Sequence, residues 1–129
     1  MTVHHRLPMI YVAGPYTNPD PVQNTHTAIK FGMQLYKDGI AYPVIPHLSL
    51  MLHLVIPEPD VAFWYAFDLH AVERCDALVR LPGASSGADA EVAFATDRGM
   101  HVFQANQYDA LRAWSGRWQT RVNRPQVKP

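Results

Sequence analysis

Apolar and polar positions along the chain fall into a regular succession. "PMIYVAG", near the start, is a short apolar run closed by Gly14, and it reads as a strand buried on both faces in a parallel sheet. Residues Val22 to Asp38 then set Ala28, Phe31, Leu35 and Tyr36 at helical spacing, with Gly39 following as a C-terminal cap. "IAYPVIP" predicts a second strand, whose prolines favour a sheet edge or a strand end. The segment His47 to Asp60 has prolines at both margins and an apolar middle, which predicts a loop with a short helix. After it come a helix over Val61 to Arg74, a strand "DALVRLP", a helix over Gly87 to Arg98, a strand "MHVFQ" and a last helix over Asn106 to Arg121.

Strands alternating with helices predict an α/β fold. The expected architecture is a single-domain, Rossmann-like or flavodoxin-like open sheet, mostly parallel, of four to five strands with helices on both faces. One domain covers residues 1–129, with a core at about 9–121 and frayed tails at 1–7 and 122–129. A chain of 129 residues suits one hydrophobic core and leaves no room for a second domain.

Two positions break the helical pattern. On a wheel of roughly 100° per residue, Ala88, Val92, Ala95 and Gly99 share one side of the fourth predicted helix. Phe94 widens that side, and Glu91 projects within the same inward arc. On the helix before it, Val61, Trp64, Tyr65, Val72 and Cys75 define an apolar stripe, and Asp68 falls near its middle. A carboxylate buried without a partner is costly, so each acid needs a counter-group or a wet cavity. Structural partners are at hand: Arg98 or Arg80 for Glu91, and a backbone turn or a tyrosine for Asp68. Two inward acids on successive crossovers nevertheless mark a candidate site.

Composition narrows the chemistry. Eleven basic and eleven acidic residues balance, and no run of like charge occurs, so neither a nucleic-acid polymer nor an anionic membrane surface is an expected partner. The start, "MTVHHRLPMIYVAG", lacks the pattern of a secretory signal, and no apolar run approaches spanning length. A cytoplasmic location is expected. The single cysteine, Cys75, permits no internal disulfide. His47 and His53 are six residues apart without a cysteine cluster or a metal-binding spacing, so no metal is expected. No dinucleotide fingerprint, Walker loop or G-x-S-x-G elbow occurs, and no cofactor is expected.

In open α/β sheets ligands sit beyond the carboxyl ends of the strands. Here that rule selects "GPYTN", "PHLSL" and "PGASSG". The candidate substrate-binding residues are therefore Gly14, Pro15, Tyr16, His47, Ser85, Ser86 and Gly87, with Trp64 as a further ring able to stack on a base or sugar. Each has a plainer reading. Tyr16 and Trp64 suit a core, and a lone loop histidine is more often exposed. Ser86 followed by Asp89 suits a capping box. With the amides of Gly87 and Ala88, the two serines would equally suit a phosphate at a helix N-terminus.

"IYVAGPYT", "FWYAFDLHAVERCDALVRLPG" and "SSGADAEVAFATDRGMHVF" together resemble the nucleoside 2-deoxyribosyltransferase superfamily, most nearly its small bacterial and phage branch. The resemblance spans roughly residues 9 to 104. It implies a pocket lined by Tyr11 on the first strand, Asp68 and Glu91, with Glu91 as nucleophile on the anomeric carbon, Asp68 serving the leaving base and Tyr11 orienting Glu91. The implied partner is a small nucleoside or nucleotide, and the implied assembly a homodimer or higher homo-oligomer. Where transferases of the family commonly carry another acid before the helix, this chain has Ser85, which favours a nucleoside 5'-monophosphate and hydrolysis over base transfer. A non-catalytic nucleotide-binding module, or an interaction domain with purely structural acids, is the alternative.

Overall fold

A computed structural model describes residues 4–56 and 61–125. The order of elements is β1 (Met9–Ala13), α1 (Pro21–Lys37), β2 (Tyr42–Val44), a 3₁₀ turn (Pro46–Ser49) running into α2 (Leu50–Val55), α3 (Val61–Glu73), β3 (Ala77–Arg80), α4 (Ser86–Asp97), β4 (His101–Gln104) and α5 (Tyr108–Val122). Each predicted strand and helix is present. The predicted loop with a short helix is the turn and α2, and its last residues, 57–60, lie outside the described ones.

Four strands form one sheet in the order β2-β1-β3-β4, every pair parallel. This is the low end of the four to five expected. β2 is an edge strand of three residues, and Pro43 within it pairs in register with Ile10. A residue without an N–H fits an edge, where only one side of the strand needs to donate. The chain leaves β1 toward β2 and later returns to the other flank of β1 as β3. The order therefore reverses between β1 and β3, and a crevice opens beyond their carboxyl ends.

Helices cover both faces. Ile10, Val12, Ala77 and Val79 point to one side, where Ala28 and Leu35 of α1 and Leu111, Trp114 and Trp118 of α5 bury against them. The tryptophan stripe of the last helix thus packs on its own sheet. Tyr11, Ala13 and Leu78 point to the other side, against Val72 of α3 and Ala88 and Ala95 of α4. Alternation along β1 therefore delivers Tyr11 to the face that carries Asp68 and Glu91.

Local chemistry fixes the helix ends. The Asp20 side chain accepts from Gln23 N at 2.9 Å, and Pro21 opens α1. At its far end Gly39 has φ +69°, the left-handed conformation a helix stop needs. The ends of the described chain are joined: Arg6 N donates to Asn123 Oδ1 at 2.8 Å, and Asn123 Nδ2 donates back to Arg6 O at 2.9 Å. Hydrogen bonds therefore occur outside residues 9–121 at both ends of the described chain. Among the described residues no helix is long and apolar enough to cross a membrane.

Candidate active site

Beyond the carboxyl ends of β1 and β3 lies a cavity of about 470 Å³, within the range of small-molecule sites. Its floor comes from the loop after β1, with Gly14, Pro15 and Tyr16. The turn after β2 supplies His47, α3 supplies Trp64 and Asp68, and the start of α4 supplies Ser85, Ser86, Gly87 and Glu91. The eight substrate-binding candidates and both acids therefore line one space, while Tyr11 stands behind Glu91.

Glu91 is 8% exposed, and its Oε2 accepts a 2.5 Å hydrogen bond from the Tyr11 hydroxyl. Burial pushes its carboxyl up to about 7; the Tyr11 bond opposes this, the nearby Asp68 charge adds to it, and Arg80 opposes it. Asp68 is half-buried on the facing helix and accepts no hydrogen bond among the described residues; burial pushes it up to about 6. Burial, reinforced by the Glu91 and Asp68 charges, raises the Tyr11 hydroxyl far above its ordinary range, so it stays protonated and donates.

The arginines open to Glu91 in the sequence form their ion pairs elsewhere. Arg98 Nη1 bonds Glu73 Oε1 at 2.9 Å, and Arg80 Nη2 bonds Asp89 Oδ1 at 2.9 Å. The capping expectation needs correction. Ser85, not Ser86, is the N-cap: its Oγ accepts from Ala88 N at 3.0 Å, and Asp89 turns to Arg80 instead of back to the cap. Extended backbone at Ser85 (φ −163°) begins the helix one residue earlier than the periodicity indicated.

His47 also departs from its plainer reading. It is 2% exposed, with Nε2 2.9 Å from the Pro15 carbonyl, so the proton resides on Nε2. Its Nδ1 is buried without a partner among the described residues. Burial lowers its pKa, against the pull of the Pro15 and Gly14 carbonyls, which keeps the ring neutral. His47 thereby ties the loop after β1 to the turn after β2. A second tie is steric. Gly83, in the loop after β3, has φ +114°, and a Cβ there would meet Pro15 Cγ at 2.7 Å.

His53 is the site residue that sequence reasoning missed. Its ring stacks on Trp64 at 4.9 Å between centroids and 19° between planes, and on Tyr16 at 5.9 Å and 25°. All three rings line the cavity. The short α2 that carries His53 buries none of its residues, so no apolar period singled it out. Only the juxtaposition of three separate segments reveals the stack. Thr17, Asn18, Ser49 and Tyr65 complete much of the polar wall.

No protein-family model matches the chain, and no curated protein does. Among solved structures it is similar to a 2-desoxiribosyltransferase from Leishmania mexicana, at 17% sequence identity and a TM-score of 0.54. The match covers 75% of this chain and 63% of that one, so this chain spans less than two thirds of its neighbour. The likeness is one of fold. It agrees with the open, parallel α/β sheet expected from the sequence, and it reaches neither to a superfamily nor to the small bacterial and phage branch.

Proposed function

We propose that the protein cleaves the N-glycosidic bond of a nucleoside or nucleoside 5'-monophosphate, with water as the favoured acceptor. One observation carries the reading: two carboxyl groups from successive helices open into one cavity, and among the described residues neither forms an ion pair with an arginine. The shared fold with a solved 2-desoxiribosyltransferase supports it.

In this reading Glu91, ionised, attacks the anomeric carbon. The C–N bond breaks as the C–O bond forms, and its electron pair passes to the base. Protonated Asp68 gives its proton to the departing nitrogen. Water then attacks the glycosyl ester and gives a proton to Asp68, releasing the sugar and freeing Glu91. Tyr11 holds Glu91 through Oε2 and leaves Oε1 for the sugar. Burial raises both carboxyls, Glu91 to about 7 and Asp68 to about 6, so between those values they hold about one proton between them, and the reaction runs through the microstate that leaves the charge on Glu91.

Ser85, Ser86 and the first amides of α4 present neutral donors and a helix N-terminus to the cavity, which suits a 5'-phosphate. That argues for a monophosphate. Tyr16, His53 and Trp64 supply flat surfaces for a base. We further propose self-association through the apolar side of α2 and α3, where Met51, Leu54, Phe63 and Phe67 are all exposed.

Incubation with a panel of nucleosides, deoxynucleosides and their 5'-monophosphates, followed by chromatography for free base, tests the activity. Release that is lost in Glu91→Ala supports it. Binding of a monophosphate without release from any substrate overturns it in favour of a binding module.

A further inference from the structure

The loop after β1 supplies much of the cavity wall, because Pro15, Tyr16, Thr17 and Asn18 all line it, yet Gly14 to Asp20 contains neither helix nor strand. A segment without a ladder of its own needs other donors for its carbonyls. The Pro15 carbonyl is met by His47 Nε2 from the turn after β2, and the Pro15 ring packs close to Gly83. The following residues are held by α1 instead. Asn24, partly buried in that helix, donates from Nδ2 to Tyr16 O at 3.0 Å and to Asn18 O at 3.0 Å. Among the described residues no other side chain bonds those two carbonyls. An amide nitrogen carries two N–H groups, enough for one bond to each carbonyl, whereas the amide oxygen could only repel them. The loop therefore fixes which way the Asn24 amide faces.

Tyr16 depends on this anchor. Its ring meets His53 at 5.9 Å and His47 at 6.0 Å between centroids, and among the described residues its side chain forms no hydrogen bond. Its place beside His53 and Trp64 thus follows from where its backbone is held. We propose that Asn24 is a positioning residue whose amide clamps the backbone of Tyr16 and Asn18 and thereby sets the Tyr16 ring against His53 as part of the base-binding surface. Asn24 does not line the cavity and acts only through the loop.

The bearing on base binding rests on the glycosidase reading of the site; the clamp itself does not. The test is NMR on the full chain, reading cross-relaxation between the Tyr16 and His53 rings, with amide spectra to verify the fold. Asn24→Asp keeps the shape of the side chain and replaces the donors with an oxygen that both carbonyls repel. Its effects on α1 are small and opposed, since a negative charge early in a helix is favourable and the like charge of Asp20 four residues earlier is not. Tyr16–His53 cross-peaks are expected to weaken several-fold, while those between His53 and Trp64, which do not involve the loop, persist. Asn24→Ala removes the donors without adding a charge; it is expected to do the same, and it serves alone should Asn24→Asp fail to fold. In base release both variants are expected to raise KM about threefold or more with kcat retained, a split that lost stability alone would not produce. Unchanged Tyr16–His53 cross-peaks in either folded variant overturn the proposal, as does an unmoved KM in an active one. If the cross-peaks are lost while the substrate panel releases no base even from the wild type, the clamp stands and the glycosidase reading falls.

Discussion

The Tyr11 hydroxyl donates a 2.5 Å hydrogen bond to Glu91 Oε2, joining a central strand to a helix that begins 75 residues later in the sequence. Among the described residues the hydroxyl has no other hydrogen bond, and the carboxylate is buried. Each therefore fixes the other, and the orientation of Glu91 in the cavity depends on a residue that does not line it.

Tyr11→Phe removes the bond that holds the Glu91 carboxyl down. The sign follows directly: the pKa moves further above about 7, and less of the ionised form is present at neutral pH. Base release at pH 7 is expected to fall about tenfold or more, with the acid limb of the rate profile displaced upward. A variant whose profile superimposes on that of the wild type would remove Tyr11 from this role.

Glu91→Gln is expected to stabilise the fold above neutral pH. The Glu91 carboxyl has a folded pKa of about 7 against 4.5 for the free group. The native state therefore binds the extra proton between those values, and stability falls as pH rises through them. Gln, which can still accept from Tyr11, escapes that loss. The gain should be near zero at pH 4.5 and on the order of 3 kcal/mol at pH 8, read by urea unfolding at both values. Equal gains at the two pH values would contradict a buried, proton-binding Glu91.

Ser85→Asp separates capping from ligand recognition. Aspartate caps a helix about as well as serine, so the thermal midpoint should hold, whereas Ser85→Ala should cost about 1 kcal/mol. A new negative charge at the mouth of α4 should repel a 5'-phosphate. The preference for monophosphate over nucleoside, measured as a ratio of kcat/KM, should drop about tenfold or more. An unchanged ratio would move the phosphate elsewhere.

His53→Ala removes the ring shared by Tyr16 and Trp64. Stacking of this kind contributes about 0.5–1.5 kcal/mol, so KM should rise roughly 2- to 13-fold with kcat retained. A loss confined to kcat would assign His53 to the chemistry instead of to base binding.

Met51→Lys with Phe67→Lys places two charges on the exposed apolar side of α2 and α3. Sedimentation should show a smaller particle than the wild type. A wild-type protein already sedimenting as a monomer would refute self-association through this surface.

Much of the fold was legible because it is written locally. Gly39 closes α1 through a left-handed backbone conformation that involves only its neighbours, and the start of the helix, read at Val22, lies one residue earlier, at Pro21. The prolines of "IAYPVIP" pointed to a sheet edge or a strand end, where a missing N–H is tolerated, and Pro43 lies in the edge strand β2. The capping serine was misassigned by one residue because both Ser85 and Ser86 can cap, and the competing pull of Arg80 on Asp89 comes from another element.

The sequence by itself determined the succession of strands and helices, and it set Asp68 and Glu91 on the inward arcs of their helices, since periodicity within an element is a property of consecutive residues. Only the tertiary structure decided what those acids meet. It gave Glu91 to Tyr11 and sent Arg98 to Glu73 and Arg80 to Asp89. It also buried His47 and stacked His53 between two segments. The reason is physical: several partners satisfy each charge or ring in the sequence, and the choice among them is made by which atoms the packed sheet and helices bring within reach.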